Sequence, residues 1–290
     1  MPPVSPIAAK WELVAICRER REELGLTGPA VAKAAQVSST FWSRFENDKK
    51  LVGPEKFALV LDVLEFPKDL REHLLKLREY AVGTGWWAAY NKIFSPQHIN
   101  LYGLEYGAEE VRTFESLLIP GLLQTEAYIR ALIETDQIGI PAKEVQRRVA
   151  ARLKRQERLR DRDPLRLVAV VSQAAIEQQF GGPDVLREQL DHLSRMIRSN
   201  PETIDLRIIP FTSPTGPILG GCTFYILEFT SAALGPLAWY ESPLEAKIID
   251  DPDRVFDISR SFQQMHDQAL SAADSLALIE ESARKIEERS

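Results

Sequence analysis

The first eighty residues carry short apolar stripes at helical spacing, each closed by a turn signal. Leu13, Ile16, Cys17 and Leu24 fall at intervals of three, four and seven, which predicts a helix from about Lys10 to Leu24 with one buried face. Gly25 supplies its stop, since glycine accepts the left-handed conformation that closes a helix. Thr27 can cap the next segment, "GPAVAKAAQ", whose Pro29 suits a first turn and whose small residues admit a close crossing. Ser38 is the expected N-cap of a third helix, in which Trp42 and Phe45 point to a core of Leu24, Val31 and Leu61. Pro54 starts a fourth helix with Phe57, Val60, Leu61 and Leu64 inward, and "KDLREHLLKLREYA" makes a fifth.

The pattern changes after Tyr80. "VGTGWWAAYNKIFSPQHIN" has no sustained helical period and reads as an aromatic hinge over residues 81–98. Beyond it, "VRTFES", "LRLVAVV", "TIDLRIIPF", "CTFYILEF" and "PLAWYES" read as strands. Between and after them, "LIPGLLQTEAYIRALIE" reads as a proline-glycine turn leading into a helix, and "AKEVQRRVAARLKRQERLRD", "PDVLREQLDHLSRMI", a segment from near Pro252 and "SLALIEESARKIEE" read as helices. The expectation is a two-domain chain: an all-α five-helix domain over residues 1–80, then a larger mixed α/β (α+β) domain over 99–290, with a strand order the sequence does not specify.

Composition narrows the function. No run approaches eighteen apolar residues, so no membrane span is expected, and "MPPVSPIAAKWELVA" lacks a basic leader before an apolar core. Cys17 and Cys222 stand alone, which argues against a disulfide framework or a zinc site and for a reducing cytoplasm. The net charge of −6 is unevenly placed: residues 1–80 hold thirteen basic and twelve acidic side chains, and the remainder twenty-three against thirty. DNA binding needs only a local basic edge, so the total does not exclude it.

The third helix supplies such an edge. Ser39, Thr40, Ser43 and Arg44 lie opposite Trp42 and Phe45. Hydroxyls can bond bases or phosphates, Arg44 can grip a guanine edge with two bonds, and Lys49 and Lys50 suit backbone phosphates. Helix, small-residue helix, short turn, polar-fronted helix is the order of a helix-turn-helix. On "EELGLT", Ala32, "VSSTFWSRFEN" and the helix opening at Gly53–Pro54, residues 13–64 resemble the phage-repressor (Cro/C1-type, XRE-like) family. That resemblance implies DNA contacts from Thr27, Ser38, Ser39, Thr40, Ser43, Arg44, Asn47, Lys49 and Lys50. It also implies a buried ion pair between the first and third helices, formed by Arg21 and Glu46. Two departures stand out. Gly28 occupies a position where such repressors often carry glutamine, and Asp48 follows the reading helix where glycine is usual.

"GWWAAY", "LLIPGLLQTEAYIRALI", "IDLRIIPF", "CTFYILEF" and "QALSAADSLALIEE" are similar to the large C-terminal domain of actinobacterial Cro/C1-type regulators, a domain of unknown function. The likeness implies a homodimeric transcription regulator on an inverted-repeat operator, often with a small partner protein encoded nearby. Ser172 and Gln173 replace an acidic pair usual in such domains. Nothing points to an enzyme or a cofactor: the four histidines are dispersed, no serine sits in a GxSxG turn, and "GPILGGC" lacks the GK[ST] ending of a phosphate loop. The basic stretch from Lys143 to Arg166, ten cations against four acids, reads as a DNA or partner contact, or, preferred here, as a solvated face whose arginines pair with neighbouring acids, behind the inward stripe Val145, Val149, Leu153, Leu159. Trp86, Trp87, Tyr90 and Tyr102 are candidates for an effector pocket or for core. The competing function is a protein-interaction adaptor whose helix-turn-helix has lost DNA.

Overall fold

Three helices of the N-terminal part end the same way, and those endings set the geometry of everything they connect. α1 (Pro6–Glu23), α2 (Gly28–Ala34) and α4 (Pro54–Val63) each run into a left-handed residue: Gly25 at φ 63°, Gln36 at φ 56° and Glu65 at φ 52°. The next amide then bonds back to the helix, Leu26 N to Arg21 O, Val37 N to Ala32 O and Phe66 N to Leu61 O. This closure satisfies orphan carbonyls and turns an apolar residue back onto the helices. Leu26, Val37 and Phe66 all pack on one core with Leu13, Val31, Trp42, Phe45, Phe57 and Leu61. α3 (Ser39–Asp48) and α5 (Lys68–Val82) complete the five helices. The structure, a computed structural model, describes residues 2–48, 50–136, 140–214, 222–242 and 245–288.

α1 begins at Pro6, four residues before the apolar stripe suggested, because Ser5 accepts the Ala8 amide and proline fits the first turn. Leu24 is the cap of α1 and stays outside the core cluster expected to include it. The N-terminal unit comprises residues 3–88 together with 229–235. That returning segment makes a short 3-10 turn, Ala232–Leu234, whose Ser231 Oγ donates to Glu12 Oε1 of α1 at 2.6 Å.

The second unit, residues 1–2, 89–228 and 236–290, is built on a six-stranded mixed sheet. Its strands are β1 (Glu110–Glu115), β2 (Arg166–Ser172), β3 (Ile204–Ile209), β4 (Thr223–Glu228), β5 (Leu237–Glu241) and β6 (Ala246–Ile249), in the order β3-β2-β1-β4-β5-β6. β1, β2 and β3 run parallel; β4, β5 and β6 pair antiparallel from the other side of β1. The chain therefore leaves β1 first in one direction and later in the other. Crossovers pass through α7 (Glu126–Asp136) and α8 (Ala142–Gln156), then α9 (Ala174–Glu177) and α10 (Pro183–Ser199). α6 (Pro96–Gly107) precedes β1, and α11 (Pro252–Gln268) and α12 (Ala272–Glu287) end the chain. α6 starts inside the stretch expected to be a hinge, capped by Ser95, and β6 was not expected.

Strand alternation gives the sheet two unlike faces. Phe114, Val168, Val170, Phe224 and Ile226 meet Phe262 and Met265 of α11 in a wholly apolar cluster. The opposite face carries Thr113, Glu115, Tyr225 and Trp239, all buried. The "PGLLQT" stretch is fastened by amides: Gln156 Nε2 donates to Gly121 O and Gln124 O, Gln189 Nε2 to Leu123 O, and Thr125 N donates to Gln189 Oε1. No helix among the described residues is long and apolar enough to cross a membrane.

Candidate nucleic-acid interface

α3 is fixed from behind and bare in front. Ser38 Oγ accepts the Phe41 amide at 3.1 Å, capping the helix. Trp42 and Phe45, at 1% and 0% exposure, pack ring to ring at 5.2 Å, and Phe45 meets Phe57 at 6.5 Å. Between α1 and α3, Arg21 Nε donates to Glu46 Oε1 at 2.7 Å, and Arg18 Nη2 donates to the Glu46 carbonyl at 2.6 Å. Arg21 also donates to Leu26 O at the close of α1, so one guanidinium ties the helix end to the reading helix.

The outward face holds Ser39, Thr40, Ser43, Arg44 and Asn47, all exposed. Asn47 Nδ2 donates to Ser43 O at 2.9 Å and to Ser43 Oγ at 3.2 Å, which orients that amide along the helix. Lys50 stands 5.8 Å over the Phe41 ring. Thr27 Oγ1 is occupied in capping α2, accepting from Ala30 N at 3.3 Å. The side chains of Ser39, Thr40 and Arg44 make no hydrogen bond or ion pair among the described residues. Lys49, expected at phosphate, lies outside those residues, as does most of "GPILGGC".

Gly28 has a steric explanation. A Cβ placed there would lie 2.9 Å from Trp42 Cδ1, closer than real contacts allow, so the indole occupies the room a side chain would need.

The four aromatic residues of the expected pocket divide between the units. Trp86 and Trp87, edge-on at 5.8 Å, belong to the N-terminal unit. Tyr90 and Tyr102 belong to the second unit, where each meets Phe94, at 6.4 and 5.2 Å.

Cations of the basic stretch do pair with acids, but the stretch is not a uniformly solvated face, and there the expectation is corrected. Arg155 is buried and gives two bonds to Glu105 of α6, at 2.8 and 2.6 Å, with its guanidinium 4.8 Å over Tyr102. Burial works against that charge, and the Glu105 carboxylate overrides it, holding the Arg155 pKa above its ordinary range. Arg158, also buried, donates to the carbonyls of Tyr106, Ala108 and Asp163. Arg147 reaches Ala89 O, Arg148 pairs with Glu144, and Lys154 pairs with Glu157. The signal was present: Val145, Val149, Arg152 and Gln156 fall at i, i+4, i+7 and i+11, so the inward stripe itself carries an arginine and an amide.

Sequence reasoning missed a polar cluster beside this helix. At the end of β1, Glu115 accepts from Thr223 Oγ1 at 2.7 Å and from Tyr225 OH at 3.0 Å. Burial pushes its pKa up to about 7, against the two hydrogen bonds. Burial and the neighbouring Glu115 raise the Tyr225 phenol well above its usual range. At the rim, His98 Nε2 and Glu241 Oε1 are 3.0 Å apart, and that bond keeps the Glu241 pKa below its ordinary value. No group of three or more His, Cys, Asp or Glu residues able to hold a metal occurs among the described residues.

Residues 12–74 match the family described as helix-turn-helix domain. No curated protein and no solved structure matches the chain. Residues 99–281, more than half of the chain, match the family described as domain of unknown function (DUF5753), and the chain belongs to that family, carrying it behind a helix-turn-helix domain.

Proposed function

We propose that this chain is a sequence-specific, DNA-binding transcription regulator of the Cro/C1 type that lays α3 in the major groove. The observation that carries the reading is the division of α3 into an indole-and-phenyl back and a front of hydroxyls and one unpartnered arginine. Arg44 reads a base edge, guanine by preference; Ser39, Thr40, Ser43 and Asn47 contact bases or phosphates; Lys49 and Lys50 neutralise phosphate. Two copies bind an inverted repeat with half-sites about one helical turn apart. The C-terminal domain brings the copies together and receives a partner or effector that favours one spacing of the two reading heads. Such a protein works in the cytoplasm, on the nucleoid.

The test is a footprint across the chain's own promoter, followed by salt-titrated binding to the protected sequence. Arg44→Ala is expected to lose about 1–3 kcal/mol of discrimination at one base pair. Lys50→Ala is expected to weaken all sequences alike and to reduce the salt slope by about one. An adaptor that has lost DNA gives neither footprint nor slope, and that result would replace this reading.

A further inference from the structure

The polar cluster at the carboxyl end of β1 adjoins two shielded donors without an acceptor, Arg152 Nη1 and Trp239 Nε1. Its acids are each engaged: both Glu105 oxygens by Arg155, both Glu115 oxygens by Thr223 and Tyr225, and Glu241 by His98. Of its two arginines only Arg155 is held this way. The side chain of Arg152, one turn before Arg155 on α8, makes no hydrogen bond or ion pair with any described residue, and its Nη1 is shielded from solvent. The indole Nε1 of Trp239, a fully buried side chain on the same face of the sheet, is likewise without an acceptor. Register places Trp239 opposite Tyr225 and Glu241 opposite Thr223, so these groups converge on one end of the β1–β4–β5 surface.

A shielded guanidinium nitrogen without an acceptor is costly, and burial depresses the Arg152 pKa, against the attraction of Glu241, which makes no direct bond to it. The planar guanidinium fork matches the paired oxygens of a carboxylate or phosphate. The position is also suggestive: β1 is the strand at which the chain reverses its progress across the sheet, and open sheets bind ligands outside the carboxyl ends of strands at such a switch point.

We propose that the second unit binds a small oxyanion, a carboxylate or phosphate group, at Arg152, with Trp239 Nε1 as a second donor. The inference concerns this unit's own residues and stands whether or not α3 binds DNA. Burial raises the Glu115 carboxyl to about 7, which lets it keep a proton and accept an anion as neighbour. Glu241 is the acid that opposes entry, and its bond to His98 holds it at the rim.

The experiment is thermal unfolding of the full chain with inorganic phosphate or with acetate, each against sodium chloride at equal ionic strength. The wild-type midpoint should rise with at least one of the two beyond the chloride control, and whichever acts identifies the source of the oxyanion. Arg152→Met should raise the midpoint of the anion-free chain, because a shielded donor without an acceptor is removed, and should weaken the anion response at least tenfold. Arg152→Lys and Trp239→Phe should each fold and keep a response weakened severalfold. If neither anion moves the wild type, or Arg152→Met unfolds more readily and the other two variants respond as wild type does, the site is structural and the proposal is overturned. No DNA enters this readout, so a failed footprint and a failed anion response are separate results.

Discussion

Each unit ties two helices together with an arginine and a glutamate, and the two pairs sit in different surroundings. In the N-terminal unit the Arg21 and Glu46 side chains keep 15% and 12% of their exposure and share one bond, the rest of the guanidinium serving Leu26 O and Glu22. In the second unit Arg155 and Glu105 keep 8% and 2%, share two bonds and lie against an aromatic ring. The first pair is a rim fastening on an apolar core, and the polar groups of α3 remain outside it. The second is part of the core. One unit thus leaves its hydrogen-bonding capacity facing solvent; the other draws arginines, glutamines and carboxylates inward, where each must find a partner.

The largest effect expected from that contrast is at Arg155. Arg155→Met should destabilise the second unit by about 3–5 kcal/mol, because Glu105 is left buried and unpaired. Glu105→Leu combined with Arg155→Met should recover most of the loss, since replacing both members removes the orphan charge. Urea unfolding of the single and double variants checks this, and a double variant as unstable as the sum of the singles would mean that the pair is not the source of the loss.

Glu115 should give a smaller effect that depends on pH. Its folded pKa, about 7, lies above the ordinary 4.5, so the folded state holds a proton that the unfolded chain releases. Stability is then full below pH 4.5 and declines as pH rises toward 7. A shift of this size corresponds to a total on the order of 3 kcal/mol. Tyr225, Thr223, Arg155 and Glu241 surround the group and contribute to the shift. The second unit should therefore unfold more easily at pH 8 than at pH 5.5, and Glu115→Gln should flatten that dependence. An unchanged pH profile in the variant would assign the slope to other groups.

The same contrast explains what could be read in advance. The five helices were legible because their apolar stripes face one core, and Thr27, Ser38, Pro54 and Gly25 announce their ends. The closures at Gln36 and Glu65 were not, because neither residue type advertises a left-handed conformation. In the larger domain the apolar strands were legible, β2 above all. α6 was not: Gly103 and Gly107 interrupt its sequence, and its buried positions include Glu105. The polar cluster of Glu105, Arg155, Glu115 and Tyr225 escaped for a related reason. Arginine and glutamate mark solvent in any pattern reading, and only the partners contributed by distant segments reverse that meaning. Glu105 meets Arg155, and Glu115 meets Thr223 and Tyr225, through the fold, with no short spacing to connect them.

The smallest of the expected effects returns to the N-terminal pair. Arg21→Ala removes the Glu46 contact and the bond to Leu26 O together. Glu46 keeps partial access to water, so its loss of a partner should cost less than at Glu105, about 1–3 kcal/mol between the exposed and fully buried limits. Part of that cost is specific to the carboxylate. Glu46 lies close enough to Cys17 that, after burial, its charge adds to the rise in the thiol pKa, which places it at the edge of the apolar core. Arg21→Ala with Glu46→Gln should therefore be more stable than Arg21→Ala alone. If the two are equally unstable in urea, the loss belongs to the closure of α1 at Leu26, and the rim pair does not hold α3 in place.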